Sequence, residues 1–222
     1  IFVGEYIMYK KIIKRILDLL IGLIALPFVI LITIIVAPMI YLNDKGPVFF
    51  NALRLGKDGK PFKMFKFRSM KVNAPDIRNK DGSTYNGDDD PRVTNIGRMM
   101  RKTSIDEIPQ FLNVLLGNMS FIGPRPDPLD DMKIYTEDQK KKLSVRPGIT
   151  GYNQAYYRNS VEQDEKFEHD VYYAENVSFL LDVKIFIKTI STVLLQDNVY
   201  NDASGLSEGE KKKINHMRTN HE

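Results

Sequence analysis

The residues best suited to chemistry lie in one run, Arg101-Lys102-Thr103-Ser104-Ile105-Asp106-Glu107-Ile108-Pro109-Gln110. Two adjacent carboxylates follow two cations. A carboxylate can attack phosphorus and split one hard transfer into two easier steps. With Ser104 as an N-cap, Asp106 falls in the first turn of a helix. Backbone donors and the helix dipole there favour negative charge and an incoming phosphate. Glu107 can then deprotonate an acceptor or support a metal ion. The same spacing has a plainer reading, because Ser104-x-x-Glu107 is also a capping box and Pro109 is tolerated in the first turns. Successive helical residues point about 100° apart, so the pair faces one atom only with local distortion.

Other stretches could serve a phosphate. In Gly123-Pro124-Arg125-Pro126 the prolines pin the backbone around Arg125, and a preset guanidinium fork suits phosphate oxygens. Arg146-Pro147-Gly148-Ile149-Thr150-Gly151-Tyr152 is turn chemistry, followed by Tyr156-Tyr157-Arg158-Asn159. Between Arg54 and Lys71 lie seven cations (Arg54, Lys57, Lys60, Lys63, Lys66, Arg68, Lys71) against Asp58 alone. Such a patch suits lipid headgroups, a pyrophosphate or nucleic acid, or is simply a solvated face. Asp88-Asp89-Asp90 suggests a metal site, but adjacent carboxylates in a polar loop more often face water. The chain has no cysteine, which excludes disulfides and thiolate metal sites. Its three histidines (His169, His216, His221) are too scattered for a metal cluster.

These residues need a scaffold, and its first part is apolar. Residues 12–41 exceed the roughly 20 needed to span a bilayer. Asp18 is the only charge between Ile16 and Ile40, and the segment has no polar stripe and no signal-peptide cleavage pattern. Lys10, Lys11, Lys14 and Arg15 precede it, and Lys45, Arg54, Lys57 and Lys60 follow. Basic flanks on both sides keep both ends on the cytoplasmic face. Pro27 would kink the middle. The pattern predicts a re-entrant helix that dips into one leaflet, with a straight span as the alternative. Arg15 and Asp18 are spaced for a salt bridge.

The remainder predicts a hairpin, since Lys57-Asp58-Gly59-Lys60 joins apolar-aromatic runs at 48–55 and 61–70. Residues 73–91 read as a loop, and 95–116 as a helix broken near Thr103-Ser104. Residues 127–143 read as a solvated helix, 167–173 as a short helix, and Phe179–Leu195 as an amphipathic helix for the core or the membrane surface. The expected organisation is an N-terminal remnant (1–9), a membrane re-entrant helix (10–42), a cytoplasmic catalytic domain (43–198) and a polar, disordered tail (199–222). The fold class is α+β, mostly helical. It joins the re-entrant helix, a small β-hairpin and interfacial amphipathic helices around a compact catalytic domain.

Taken in order, several motifs resemble one family, the bacterial sugar transferases or monotopic phosphoglycosyl transferases. They are Lys66-Phe67-Arg68-Ser69-Met70, Asp90-Pro91-Arg92-Val93-Thr94, Gly97-Arg98, Arg101, Ser104-Ile105-Asp106-Glu107-Ile108-Pro109-Gln110, Asn113-Val114-Leu115, Gly117, Met119-Ser120, Gly123-Pro124-Arg125-Pro126 and Pro147-Gly148-Ile149-Thr150-Gly151. The likeness runs from about Tyr9 to Asn198. It implies a ping-pong transfer of a sugar phosphate from a UDP-sugar to a polyprenyl (undecaprenyl) phosphate, with release of UMP. Asp106 is then the nucleophile and a contact of Mg²⁺, and Glu107 is the base or metal helper. Arg101, Arg125 and Arg158 bind phosphate, and Lys66 and Arg68 serve the headgroup or phosphate. One departure is Leu26-Pro27 where the family has Ser-Pro at the bend. The expected setting is the cytoplasmic face of a bacterial inner membrane, with membrane lipids as partners and no nucleic acid. The Phe179–Leu195 helix is the surface through which a homodimer would form. The competing reading is a non-catalytic adaptor that binds anionic lipid.

Overall fold

A computed structural model describes residues 8–79, 85, 87, 90–157 and 160–195. After a π-helical turn at Tyr9–Ile13, helix α1 runs through Lys14–Asp44, and both Pro27 and Pro38 lie within it. It is long and apolar enough to cross a membrane. Its buried residues, Asp18, Gly22, Val29, Val36 and Ile40, recur at helical spacing and mark one face. Leu23, Ile24, Phe28, Ile30 and Leu31 are all more than half exposed. Leaving so much apolar surface outside a core is costly in water and costless in lipid.

The N-terminal basic residues anchor this helix to the rest of the chain. Lys10 Nζ donates to the Ala174 carbonyl, and Lys14 Nζ pairs with Asp182. Arg15 donates to the carbonyls of Val114 and Leu115 at 2.6 and 3.1 Å. Asp18 therefore does not pair with Arg15 as its spacing suggested. It accepts from Ser120 Oγ and the Phe121 N–H, both at 3.0 Å. At the other end Asp44 takes a bidentate pair from Arg68.

The hairpin forms as expected. Strand β1 (Ala52–Leu55) pairs antiparallel with β2 (Pro61–Met64). The turn needs positive φ at Asp58 (57°) and Gly59 (72°), which the Asp-Gly pair tolerates. The predicted break in 95–116 also occurs. Helix α2 (Asn95–Lys102) is capped by Thr94, whose side chain accepts from the Gly97 N–H. A 3₁₀ turn at Ile105–Glu107 follows, and then α3 (Gln110–Leu116). Asn113 of α3 is fully buried and clamps β2, accepting from the Phe65 N–H and donating to the Lys63 carbonyl, both at 2.8 Å.

A second, two-stranded sheet was not anticipated. Strand β3 (Ser120–Ile122) lies parallel to β4 (Gly148–Thr150). Their backbones approach so closely that a Cβ on Gly148 would stand 2.1 Å from the Gly123 nitrogen. Residues 127–143 are not the solvated helix expected. They form 3₁₀ turns at Leu129–Lys133 and Gln139–Ser144, and bury Asp127, Asp131, Gln139 and Lys142. Charges that pair with each other inside a domain look, in sequence, like charges that face water.

Helices α4 (Tyr152–Tyr156), α5 (Gln163–Glu175) and α6 (Phe179–Leu195) close the structure. Helix α5 extends beyond the expected 167–173, while α6 has the expected bounds. Asp182 of α6 gathers Tyr9 Oη at 2.6 Å, Tyr173 Oη at 2.7 Å and Lys14 Nζ. Phe179, Leu180, Phe186, Ile187 and Ile190 stay exposed on its outer side.

Candidate active site

The site is built where the chain leaving β2 passes beneath the 3₁₀ turn of residues 105–107. The antiparallel register continues past the hairpin, with Phe49 opposite Phe67. Phe50 donates to the Lys66 carbonyl, and the Phe67 N–H donates to the Asp106 carbonyl at 2.9 Å. The Asp106 backbone is thereby fixed to the strand that carries Lys66. Lys66 Nζ lies 2.7 Å from Asp106 Oδ2 and 3.4 Å from Glu107 Oε1. The Asp106 contact is a short ion pair, almost entirely withdrawn from solvent. Arg125 reaches to 4.0 Å from Glu107 Oε1 with its side chain more than half exposed.

Asp106 is only 2% exposed. Burial pushes its carboxyl up, the Lys66 ammonium opposes that shift, Glu107 adds to it and Arg101 counters it. The site thus holds a desolvated carboxylate against one ammonium, with cations arranged around it. Arg101 is placed by Ser69, whose Oγ accepts from Arg101 Nε at 3.0 Å. Ser69 is in turn packed under α2: its carbonyl accepts from the Thr94 N–H, and a Cβ on Gly97 would stand 1.9 Å from that oxygen.

Local geometry departs from the capping-box expectation. Ser104 adopts a left-handed conformation (φ 56°, ψ 17°) and its side chain caps nothing. The regular helix begins only at Gln110, after Pro109. Asp106 therefore lies in a three-residue 3₁₀ turn and not in the first turn of a helix, so the helix dipole gives it no support. The turn does supply the local distortion that lets Lys66 contact both carboxylates.

Asp106, Glu107, Lys66 and Arg125 are thus brought together, and Arg101 is close enough for its charge to act on Asp106. Arg68 is not part of this group. It is 6% exposed and committed to Asp44 and to the carbonyls of Pro47 and Met70. Arg158 lies outside the described residues, as do Asp88, Asp89 and the 199–222 tail. Asp90 does not face water. It is fully buried and forks onto Arg92, which also donates to the carbonyls of Pro75 and Tyr85.

The Arg125 loop rests on features that the sequence did not reveal. The Leu55 N–H donates to the Asp127 carbonyl, which ties the loop to β1. Lys142, 2% exposed, bridges Asp127 and Asp170, and Tyr135 Oη donates to Asp127 at 2.6 Å. Burial alone would strip Lys142 of its proton, but the two carboxylates outweigh it and hold the ammonium charged. Burial pushes Asp170 up to about 6. Burial and the neighbouring Asp127 do the same to Asp131, also to about 6. Arg54 is half-buried beside Arg125, Asp127 and Asp131. Among the described residues no three metal-ligating side chains converge.

Residues 9–196 match the family model for bacterial sugar transferases. The chain is 42% identical over 188 residues to the uncharacterized sugar transferase EpsL of Bacillus subtilis (strain 168), covering 85% of this chain and 90% of EpsL. It is 41% identical over 192 residues to the UDP-N-acetylgalactosamine-undecaprenyl-phosphate N-acetylgalactosaminephosphotransferase of Aeromonas hydrophila, covering 82% of this chain. It is 38% identical over 188 residues to the undecaprenyl-phosphate galactose phosphotransferase of Salmonella typhimurium (strain LT2), covering 77% of this chain. The match spans only 44% and 40% of those two longer proteins. The chain belongs to the bacterial sugar transferase family.

Proposed function

We propose that this chain moves a sugar phosphate from a UDP-sugar to a polyprenyl phosphate and releases UMP. A carboxylate oxygen of Asp106 attacks the β-phosphorus of the donor and forms a new O–P bond. The bond from that phosphorus to the bridging oxygen breaks, and UMP leaves with the electron pair. The phosphosugar stays on Asp106 until a phosphate oxygen of the polyprenyl acceptor attacks the same phosphorus. That step releases Asp106 as a carboxylate and yields a lipid-linked diphosphosugar. The single observation behind this reading is the buried Asp106, ion-paired to Lys66 and flanked by Glu107 and Arg125.

Each neighbour has a role that its placement supports. Lys66 keeps the nucleophile and the incoming phosphate in register, since one ammonium can contact both anions. Arg125, exposed on its proline-pinned loop, offers a fork to the donor diphosphate. Glu107 is placed to take a proton from the acceptor or to share a cation. The donor set fits Mg²⁺, which usually takes one or two carboxylates and fills the rest of its shell with substrate phosphates and water. Asp106 Oδ2 is buried against the Lys66 ammonium, and Glu107 stands beside the same ammonium. Bound there, Mg²⁺ would neutralise diphosphate charge and favour departure of UMP.

The lipid acceptor requires the site to sit at headgroup height. Both ends of α1 are bonded to one domain, through Asp18 to Ser120 and through Asp44 to Arg68. That arrangement supports a re-entrant helix with the site on the cytoplasmic face, because a straight span would part its ends by about 46 Å across the bilayer. The test is UMP release from UDP-galactose, UDP-N-acetylgalactosamine and UDP-glucose with undecaprenyl phosphate and Mg²⁺. Release by the wild type that is lost in Asp106→Asn supports the reading. Equal release by both removes Asp106 from its role.

A further inference from the structure

Next to the ionic site stands an exposed aromatic side chain that the mechanism leaves without a task. Phe49 pairs with Phe67 in the same register that pairs Ala52 with Met64, so Phe50 lies directly across from Lys66. Its N–H donates to the Lys66 carbonyl at 2.8 Å. Directly opposed residues in an antiparallel pair share a face, with Cβ atoms about 5 Å apart. The Phe50 ring therefore shares a face with the ammonium that touches Asp106. Phe49 serves the core by stacking on Phe67 at 5.5 Å, whereas Phe50 is 56% exposed. Tyr41 and Leu42, at the end of α1, are 52% and 73% exposed. Exposed apolar side chains thus occur at the C-terminal end of α1 and at Phe50, and Phe50 is paired across the two strands with a cation.

A polyprenyl phosphate has a hydrocarbon chain joined directly to the phosphate that must reach Asp106. We propose that Phe50 holds the first isoprene units of the polyprenyl acceptor while Lys66 and Arg125 take its phosphate. The cation and the ring then match the two ends of the same short segment of ligand. This inference rests on the transferase reading above, and it concerns only the second half of the reaction.

The test uses the full chain in lipid nanodiscs, with Phe50→Ala and Phe50→Leu. Three quantities are read: the burst of UMP from the donor alone, the KM for undecaprenyl phosphate, and the fraction bound to liposomes. The expected result for Phe50→Ala is a KM for undecaprenyl phosphate raised about tenfold, the loss of one apolar anchor. The donor burst and liposome binding stay at wild-type levels, and Phe50→Leu recovers most of the affinity. If Phe50→Ala does not fold, a roughly threefold rise in Phe50→Leu carries the same test. An unchanged KM, a donor burst that falls in parallel, or loss from liposomes would overturn the assignment and leave Phe50 as packing or as a bulk-lipid anchor. Those outcomes leave the transferase reading standing. A wild type that releases no UMP from any donor overturns both.

Discussion

Replacing Lys142 by Met should cost about 3–5 kcal/mol of stability, the range for removing one partner of a buried ion pair. The structure explains why the cost is high. The ammonium is 2% exposed, bonds Asp127 and Asp170 at once, and lies 4.8 Å from the centre of the Phe167 ring. Met fills much the same volume, so packing is kept and two carboxylates are left buried without their cation. Two charge-assisted hydrogen bonds at ~1.5–3 kcal/mol each give the same order. Relief can come only by protonation, and Asp170 is already raised to about 6. The deficit should therefore be smaller at pH 5 than at pH 8. The chain has no tryptophan and 11 tyrosines, so tyrosine fluorescence during urea unfolding in micelles is a suitable readout. For a domain of this size the loss corresponds to a Tm lower by about 6–20 °C. Adding Asp170→Asn should recover part of the loss, since it removes one of the stranded charges. A loss under about 1 kcal/mol with no pH dependence would refute the idea that this cluster holds the Arg125 loop.

Three further outcomes follow from particular contacts. Arg68→Lys should lower stability by about 2 kcal/mol, because a lysine cannot reproduce the fork onto Asp44, and should leave the donor KM of the folded protein unchanged. Arg125→Ala should do the reverse, raising the donor KM about tenfold or more at an unchanged Tm, as read by UMP release. Native stability should fall as pH rises from about 4 to about 6. Asp131 and Asp170 have folded pKa values above their unfolded ones, so the native state holds more protons in that window. A calorimetric series across that range checks the sign, and Asp131→Asn should flatten it.

Some of this architecture was legible because local chemistry dictated it. Asp58-Gly59 can take positive φ at both positions, so the hairpin could be read directly. The amphipathic pattern of Phe179–Leu195 and the long apolar run of α1, broken only by Asp18 between Ile16 and Ile40, made those helices readable. Asp106, Glu107 and Lys66 were singled out and do converge. What failed depended on partners distant in sequence. Lys66 and Arg68 look equivalent two residues apart, yet one meets Asp106 and the other meets Asp44, a choice made by tertiary packing. Lys142 and Asp127 read as solvated because nothing local shows that they will be buried together with Asp170. Arg15 was spaced to pair with Asp18, yet it donates to carbonyls at the end of α3, while Lys10 and Lys14 are used on Ala174 and Asp182. Ser104 matched a cap in sequence but is turned left-handed, placing Asp106 under the Phe67 N–H.

Capture of the sugar phosphate on Asp106 is the step on which the proposed reaction depends. The direct measurement is intact and peptide mass spectrometry of the full chain after incubation with the accepted UDP-sugar and Mg²⁺, with no polyprenyl phosphate. A mass gain of one phosphosugar on the peptide containing Asp106, lost when undecaprenyl phosphate is added and absent in Asp106→Asn, is the predicted result. Turnover that proceeds with no adduct, or an adduct on another residue, would contradict it.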